Sequence, residues 1–405
     1  MGYIKKFTKH IKRFRSEKRF KSNKRDVNCW LFGEWFGKRC NDNSFFFANY
    51  IACNHPEIKL FWVACENADV SLLNKSITIL RYDSSENIEV FRRVGVVIMN
   101  QGYVDFSSSG YNYFRGAVTV NLWHGVAWKK IGHDKAKAHG FMHNIHTKVF
   151  DYFERAEKYI SLSRRYTAVL NTAFHAESQN IIETGYPRNS LFYSSKWLDD
   201  NKTSLLDRLK RDNGIEVSDK AVIILYMPTF RDNPTDLKSL ESLAEDADFL
   251  DWLEKNDIII LQKAHFVSQQ RNELQTDRSC SRILEVNDIA PYEALGAADI
   301  LITDYSSCFF DYLVLDRPII HYIYDYDNYK SADRGVYYEI DDVVCGETAF
   351  NEDELRRAII KYVKDPTADA DLRNKRRGQF IEYESSDSCE ILYNRLMQIS
   401  SEKQA

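Results

Sequence analysis

No Cys-x-x-Cys pair occurs among the eight cysteines, which stand scattered at positions 29, 40, 53, 65, 280, 308, 345 and 389. That removes the common zinc and dithiol motifs, and so few thiols in so long a chain do not make a disulfide framework. A reduced, cytosolic compartment is the expectation. No apolar run approaches the roughly 18 residues that a membrane-spanning helix needs. No uninterrupted apolar stretch follows the basic start, so no secretory signal is expected. Gly-x-Gly-x-x-Gly and the P-loop pattern are both missing, which takes away the main signals of a dinucleotide-binding dehydrogenase or an ATPase. Prolines number only seven, and neither an internal repeat nor a low-complexity segment is present.

What remains is a chain of 405 residues, 44% apolar and 28% charged, long enough for two domains with separate cores. Aromatics reach 14%, with 24 Tyr and 24 Phe, a stock for large buried side chains. The net charge of −4 hides an asymmetry: residues 1–25 hold eleven Lys/Arg against Glu17, a net of +10, so the rest sums to −14. A basic arm on an acidic body points to an anionic surface as partner. Within it Ile4, Phe7, Ile11 and Phe14 share one helical face and Lys/Arg cover the remainder. The helical register favours a short amphipathic helix in the headgroup region of an anionic bilayer over a tail that binds nucleic acid or stays disordered.

From Cys29 to about Asn189 strands alternate with helices. Strands are expected at Ile58–Val63, Ile77–Leu80, Val94–Met99 and Val118–Leu122, with a helix at Asp42–Asn54 ahead of them. The polar stretch Ser194–Gly214 reads as a linker region. A second series has strands at Ala221–Tyr226, Ile258–Leu261, Arg282–Val286, Ile300–Ile302 and Ile319–Ile323, then closing helices at Glu352–Val363 and Cys389–Ile399. Alternation of this kind predicts parallel sheets. The domains expected are therefore 1–25 (membrane-surface helix), 26–193 (N-terminal α/β), 194–214 (linker) and 215–405 (C-terminal α/β).

In two such domains the carboxyl ends of the sheets are where ligands bind, in a cleft. Four polar clusters follow strands. They are His124-Gly125 with Lys129-Lys130; Pro228-Thr229-Phe230-Arg231; Lys263-Ala264-His265; and Thr303-Asp304-Tyr305-Ser306-Ser307. The last lies between a buried strand and an apolar helical pattern, so backbone N–H groups and hydroxyls converge there, as a phosphate requires. A plain helix cap by Ser306 or Ser307 is the competing reading. Two histidines, several cations and a hydroxyl turn together make a general base and an electrostatic clamp for phosphate. His133, His139, His143 and His146 cluster without a carboxylate or Cys to complete a zinc pattern, and Asp325-Tyr-Asp327 is a short acidic motif; no metal site is expected.

As a set these residues resemble the CDP-glycerol glycerophosphotransferase family, the enzymes that build teichoic acids and related capsular polymers. Its Trp-His-Gly-x-x-x-Lys-Lys-Ile-Gly is matched by Trp123–Gly132, its Gly-x-Pro-Arg-Asn by Gly185–Asn189, and its Tyr-x-Pro-Thr-(Trp/Phe)-Arg-Asp by Tyr226–Asp232. The Lys-x-His element is Lys263–His265, and Asp299–Tyr312, Arg317–Ile319, Tyr324–Tyr329 and Arg334–Tyr338 follow in order. The entry Trp30–Lys38 with Asp42-Asn43 is similar to the family's start, and the match covers about residues 28–340. One departure is Val126-Ala127-Trp128, where the family commonly has Thr-Pro-Leu.

The resemblance implies a GT-B-like α/β fold: two Rossmann-like domains with parallel sheets facing a cleft, the nucleotide held by the C-terminal one. It implies transfer of a polyol phosphate, glycerol phosphate first and ribitol phosphate second, from a CDP-activated donor to a hydroxyl of a membrane-linked acceptor, with release of CMP. His124 then serves as base, and His265 meets the leaving phosphate. Arg231, Lys263, Thr303, Ser306 and Ser307 hold the pyrophosphate, with Thr229, Asp304 and Arg317 on the same donor side. Lys129, Lys130 and Arg188 stand on the acceptor side. No cofactor beyond the CDP-polyol and no nucleic acid is implied, and the place of work is the cytoplasmic face of the membrane. The alternative is a GT-B glycosyltransferase that uses a nucleotide sugar.

Overall fold

The computed structural model of the chain describes residues 25–136, 155–229, 240–263, 282–326 and 335–404. The amphipathic helix expected over 1–25, apart from Arg25, lies outside them, as do His139, His143, His146, Arg231, His265, Asp327 and Arg334. Arg25 itself is buried, and its guanidinium donates to the carbonyls of Val94 (3.2 Å) and Arg115 (3.0 Å). Burial pushes its pKa down to about 10. It belongs to the body of the protein and not to a membrane-surface segment.

The chain divides into two compact units, Met1–His124 with Lys130–Ser190 and Glu382–Ala405, and Gly125–Lys129 with Leu191–Ile381. The first holds seven strands: β1 (Asp26–Phe32), β2 (Lys59–Ala64), β3 (Thr78–Arg81), β4 (Val94–Met99), β5 (Val118–Asn121), β6 (Lys158–Ser161) and β7 (Ile181–Glu183). They form one sheet in the order β3-β2-β1-β4-β5-β6-β7, and every pairing is parallel. β1 is the centre: Trp30 aligns with Leu60 on one side and Val96 on the other, and Cys29 to Phe32 are fully buried. Apolar residues on both faces are what a parallel strand covered on both sides requires. Helix α1 (Asn43–Asn54) starts at Asp42, whose side chain accepts from the Asn43 N–H, and α2 (Arg164–Ala173) starts at Ser163, which accepts from Tyr166.

The second unit holds β8 (Val222–Tyr226), β9 (Ile258–Gln262), β10 (Ile283–Glu285), β11 (Ile300–Thr303), β12 (Ile319–Tyr322) and β13 (Thr348–Ala349), ordered β10-β9-β8-β11-β12-β13 and again parallel. Its helices include α3 (Ser195–Asn213), α4 (Ala247–Lys255), α5 (Pro291–Ala297), α6 (Cys308–Tyr312), α7 (Glu352–Lys364) and α8 (Ala370–Phe380). Phe249 and Leu253 of α4 and Leu355, Ile359 and Tyr362 of α7 pack on Ile224, Ile260, Ile302 and Ile320 of the strands. In both sheets the strand order reverses beside the first strand, at β1/β4 and at β8/β11. A Rossmann-type sheet leaves a crevice for ligand at that switch point, outside the carboxyl ends of the strands.

Two boundaries differ from the expectation. Residues 194–214 are not a linker: α3 spans most of them, with Ser194 accepting from the Trp197 N–H at one end and Gly214 in the left-handed conformation (φ 63°) at the other. Leu205, Leu206 and Leu209 form its buried stripe, while Asn201 donates to the Glu293 carbonyl (2.8 Å) and Lys202 pairs with Asp299 (2.6 Å). The charged composition marks a solvated helix face, which by sequence looks the same as a tether. The last helix, α9 (Ser388–Gln404), belongs to the first unit and not to the C-terminal one. Its Leu392 and Leu396 are fully buried.

Candidate active site

In the first unit the residues after β1 turn sharply. Trp35 (φ 47°), Phe36 (φ 60°) and Gly37 (φ 71°) are left-handed in succession, a conformation that costs a side-chain-bearing residue about 1–2 kcal/mol. Buried carboxylates hold the turn in place. Asp105 accepts from the N–H of Phe36 (3.0 Å), Asn100 (2.9 Å) and Gln101 (2.8 Å), and Glu34 accepts from Asn41 (2.6 Å), Asp42 (2.9 Å) and Phe45 (3.2 Å). Burial raises the Asp105 pKa to about 6 against these bonds. It raises Glu34 well above the carboxylate range, with the Asp42 charge adding to the effect.

This turn places Trp35 against His124. The two rings lie 5.6 Å apart, and Trp123 stacks on the same imidazole at 4.3 Å. The Trp35 indole N–H donates to Asp42 Oδ2 (2.9 Å), and Arg188 Nη1 donates to Asp42 Oδ1 (2.5 Å). Burial alone would raise the Asp42 pKa, but Arg188, the His124 charge and the Asn43 N–H outweigh it and hold it below the usual carboxylate range. An ionised Asp42 near the imidazole stabilises the imidazolium, as a general base needs when it takes a proton. The Asn43 side chain donates to the Trp123 carbonyl (3.1 Å) and so ties the His124 strand end to the start of α1. Gly132, the last residue of the Trp123–Gly132 motif, has φ 51°, and a Cβ there would collide with the Ala173 carbonyl of α2.

In the second unit the switch point gathers the residues after β8 and β11. Asp304 is fully buried, and its Oδ1 accepts from the Thr229 N–H (2.7 Å), the Thr229 hydroxyl (2.7 Å) and the Tyr305 N–H (2.6 Å). The Thr303 hydroxyl donates to the Met227 carbonyl (2.7 Å). Thr229, Thr303 and Asp304 therefore build the turn from within. Ser306 and Ser307 are half-buried at its tip; Ser306 Oγ accepts a long bond from the Cys308 N–H (3.5 Å), and Ser307 does not cap α6. Lys263 follows β9 and is buried, with Nζ donating to the carbonyls of Asn287 (3.2 Å) and Val286 (3.4 Å). His321 lies in β12 opposite Thr303; it accepts from the Cys345 N–H (3.1 Å), and burial pushes its pKa down to about 4, so it is neutral.

One assignment changes. Arg317 precedes β12 and so lies at the amino edge of the sheet, opposite the Thr303–Ser307 end, where its guanidinium donates to the carbonyls of Ala298 (2.6 Å) and Gly296 (2.9 Å). It braces the fold and does not belong with the donor residues. Lys129 falls in the second unit, its backbone bridged to Val336, and Lys130 falls in the first. Arg188 stacks over Tyr186 (4.8 Å) and neutralises Asp42, which makes it a support of the His124 surroundings. Asp325 accepts from the Tyr305 hydroxyl (3.0 Å), and among the described residues no group of three or more His, Cys, Asp or Glu is arranged to hold a metal. Glu34, Trp35 and Asp42 stood in the sequence only within the entry motif and Asp105 in no motif, because the turn after β1 that gathers them beside His124 joins residues remote in the chain.

Residues 16–398 match the family model described as CDP-Glycerol:Poly(glycerophosphate) glycerophosphotransferase. A teichoic acid poly(glycerol phosphate) polymerase of Bacillus spizizenii is 31% identical over 255 residues, 61% of this chain and 62% of that protein. A teichoic acid glycerol-phosphate transferase of Staphylococcus aureus is 25% identical over 353 residues, 82% of this chain and 83% of that one. The chain thus spans less than two thirds of the first relative and most of the second. The wall teichoic acid polymerase TagF has the same fold, with a TM-score of 0.76 over 99% of this chain and 98% of that one, at 21% identity.

Proposed function

Since the chain belongs to the CDP-Glycerol:Poly(glycerophosphate) glycerophosphotransferase family, we propose that it transfers glycerol phosphate from CDP-glycerol to a hydroxyl of a growing teichoic-acid-type polymer. An acceptor oxygen attacks the phosphorus that bears the glycerol, and His124 takes the hydroxyl proton. The new phosphodiester forms as the bond from that phosphorus to the bridging oxygen breaks, and CMP leaves. Ionised Asp42 offsets the charge gained by His124, and Arg188 keeps Asp42 ionised. In the second unit Ser306 and Ser307 present hydroxyls to the pyrophosphate, on a turn that Asp304, Thr229 and Thr303 hold rigid. Arg231 and Lys263 supply positive charge, and His265 protonates or binds the leaving phosphate.

The observation that carries this reading is that a family match over 16–398 coincides with a histidine at the carboxyl end of β5 and a hydroxyl turn at the switch point of the second sheet. The basic, amphipathic pattern of residues 1–25 supports work at an anionic membrane surface, on the cytoplasmic face, where a lipid-linked acceptor would lie. Among the described residues no helix is long and apolar enough to cross a membrane.

The test is CMP release from CDP-glycerol, CDP-ribitol and a set of nucleotide sugars, with a glycerophosphate acceptor. CMP from CDP-glycerol, reduced about a hundredfold or more in His124→Ala, is expected for loss of a general base. Turnover of a nucleotide sugar with no CMP from either CDP-polyol would overturn the chemistry. CMP from CDP-ribitol alone would correct the polyol.

A further inference from the structure

Residues Gly125–Lys129 follow His124 directly, yet they pack with the second unit. Trp128 is the largest side chain among them and is only 3% exposed. Its ring lies 5.5 Å from that of Tyr305 and meets Phe309 edge-on at 6.2 Å. Its indole N–H donates to the Tyr338 carbonyl (2.8 Å), and its own carbonyl accepts from the Tyr337 N–H (2.9 Å). The residue is thereby held through both its side chain and its backbone.

The two rings it touches flank Ser306 and Ser307 in sequence. Tyr305 gives its N–H to Asp304 and its hydroxyl to Asp325. Phe309 is fully buried in α6 and packs edge-on against His321 at 5.0 Å. A hydroxyl turn binds phosphate well only if its donors are already held at the right spacing, so side chains that lock the supporting residues set affinity without touching ligand.

We propose that Trp128 is a positioning residue for the donor site, wedging Tyr305 and Phe309 so that Ser306 and Ser307 stand at the spacing a nucleoside diphosphate ester requires. The inference rests on the phosphotransferase reading. Leucine, which the family pattern commonly places here, has neither the ring width to reach both aromatics nor an N–H for Tyr338. Donor affinity in this chain therefore depends on an indole that does not itself meet the donor.

The experiment uses the full chain as wild type, Trp128→Leu and Trp128→Phe, well below each melting temperature. It measures the Kd for CDP-glycerol by calorimetry, together with kcat and KM for donor and acceptor. Trp128→Leu is expected to raise donor Kd and KM about tenfold, the loss of roughly one hydrogen bond to a charged group. The acceptor KM stays unchanged, and Trp128→Phe, which keeps a ring, recovers part of the loss. Should Trp128→Leu fail to fold, Trp128→Phe decides: a raised donor KM at unchanged acceptor KM supports the wedge, and an unchanged donor KM overturns it. A lower melting temperature with wild-type donor Kd in both variants makes Trp128 a packing residue only and overturns the proposal. If the wild type neither binds nor cleaves CDP-glycerol, the phosphotransferase reading fails and the inference falls with it.

Discussion

Charges buried around His124 are the residues on which stability and chemistry meet. Asp42 is ionised inside the protein because Arg188 donates to it at 2.5 Å, in a pair only 12% and 8% exposed. Removing one partner of a buried pair leaves an uncompensated charge, which costs about 3–5 kcal/mol. Arg188→Met is therefore expected to lower the urea midpoint strongly, and Asp42→Asn in the same chain should restore part of it. A double mutant no more stable than Arg188→Met would show the two charges to be uncoupled. Asp105 sets a pH dependence of opposite sign. Its pKa is raised from 3.8 to about 6 by burial, so the stability it contributes is fully present below the unfolded value and is lost as pH rises through the folded one. That loss is on the order of 3 kcal/mol by pH 7, and Glu34, also raised, acts in the same direction above its ordinary value. Unfolding midpoints should rise from pH 7 to pH 5 in the wild type and rise less in Asp105→Asn.

At the level of elements, the strands that lead into the Thr303–Ser307 turn and into His124 were readable, and β1, which leads into the Trp35–Gly37 turn, was not. Ile300–Ile302 and Ile319–Ile323 are short apolar runs closed by polar residues, and they appear as β11 and β12 within one residue at either end. Val94–Met99 is a strand with the bounds its composition predicts. β1, Asp-Val-Asn-Cys-Trp-Leu-Phe, has little β-branched residue content and no alternation, because it is buried on both faces between β2 and β4. β6, β7 and β13 run for four, three and two residues and lack the continuous apolar run that marks β11. The closing helix offers a test of which core it serves. Leu392 of α9 is fully buried, so Leu392→Ala should cost about 2–5 kcal/mol. Hydrogen exchange should report the loss at β1, β4 and β5, which α9 packs beside. Exchange that quickens first at β8 and β11 would contradict that placement.

For the molecule as a whole, the asymmetry of charge makes a separable prediction. Deleting residues 1–24 should leave turnover on a soluble glycerophosphate acceptor unchanged while lowering sedimentation with anionic vesicles. The reverse outcome would place those residues in the chemistry and not at the membrane. The cut spares Arg25, whose guanidinium satisfies carbonyls of the first unit.

Much of this protein is local in origin: where apolar runs stop and hydroxyls, histidines and lysines begin is written in consecutive residues, and so the two α/β series and the polar strand ends are legible in the chain alone. What the tertiary structure decided is which of those residues act from within and which face outward. Arg317 moved to the far edge of its sheet because parallel strands put their starts and ends on opposite sides. The apparent linker became α3 because its leucines are buried and Trp197 and Asn201 meet α5. Gly125–Lys129 joined the second unit, and α9 returned to the first, because burial of Trp128 and Leu392 depends on surfaces remote in sequence. Residue order carries no record of such contacts; the free energy of burying those side chains does.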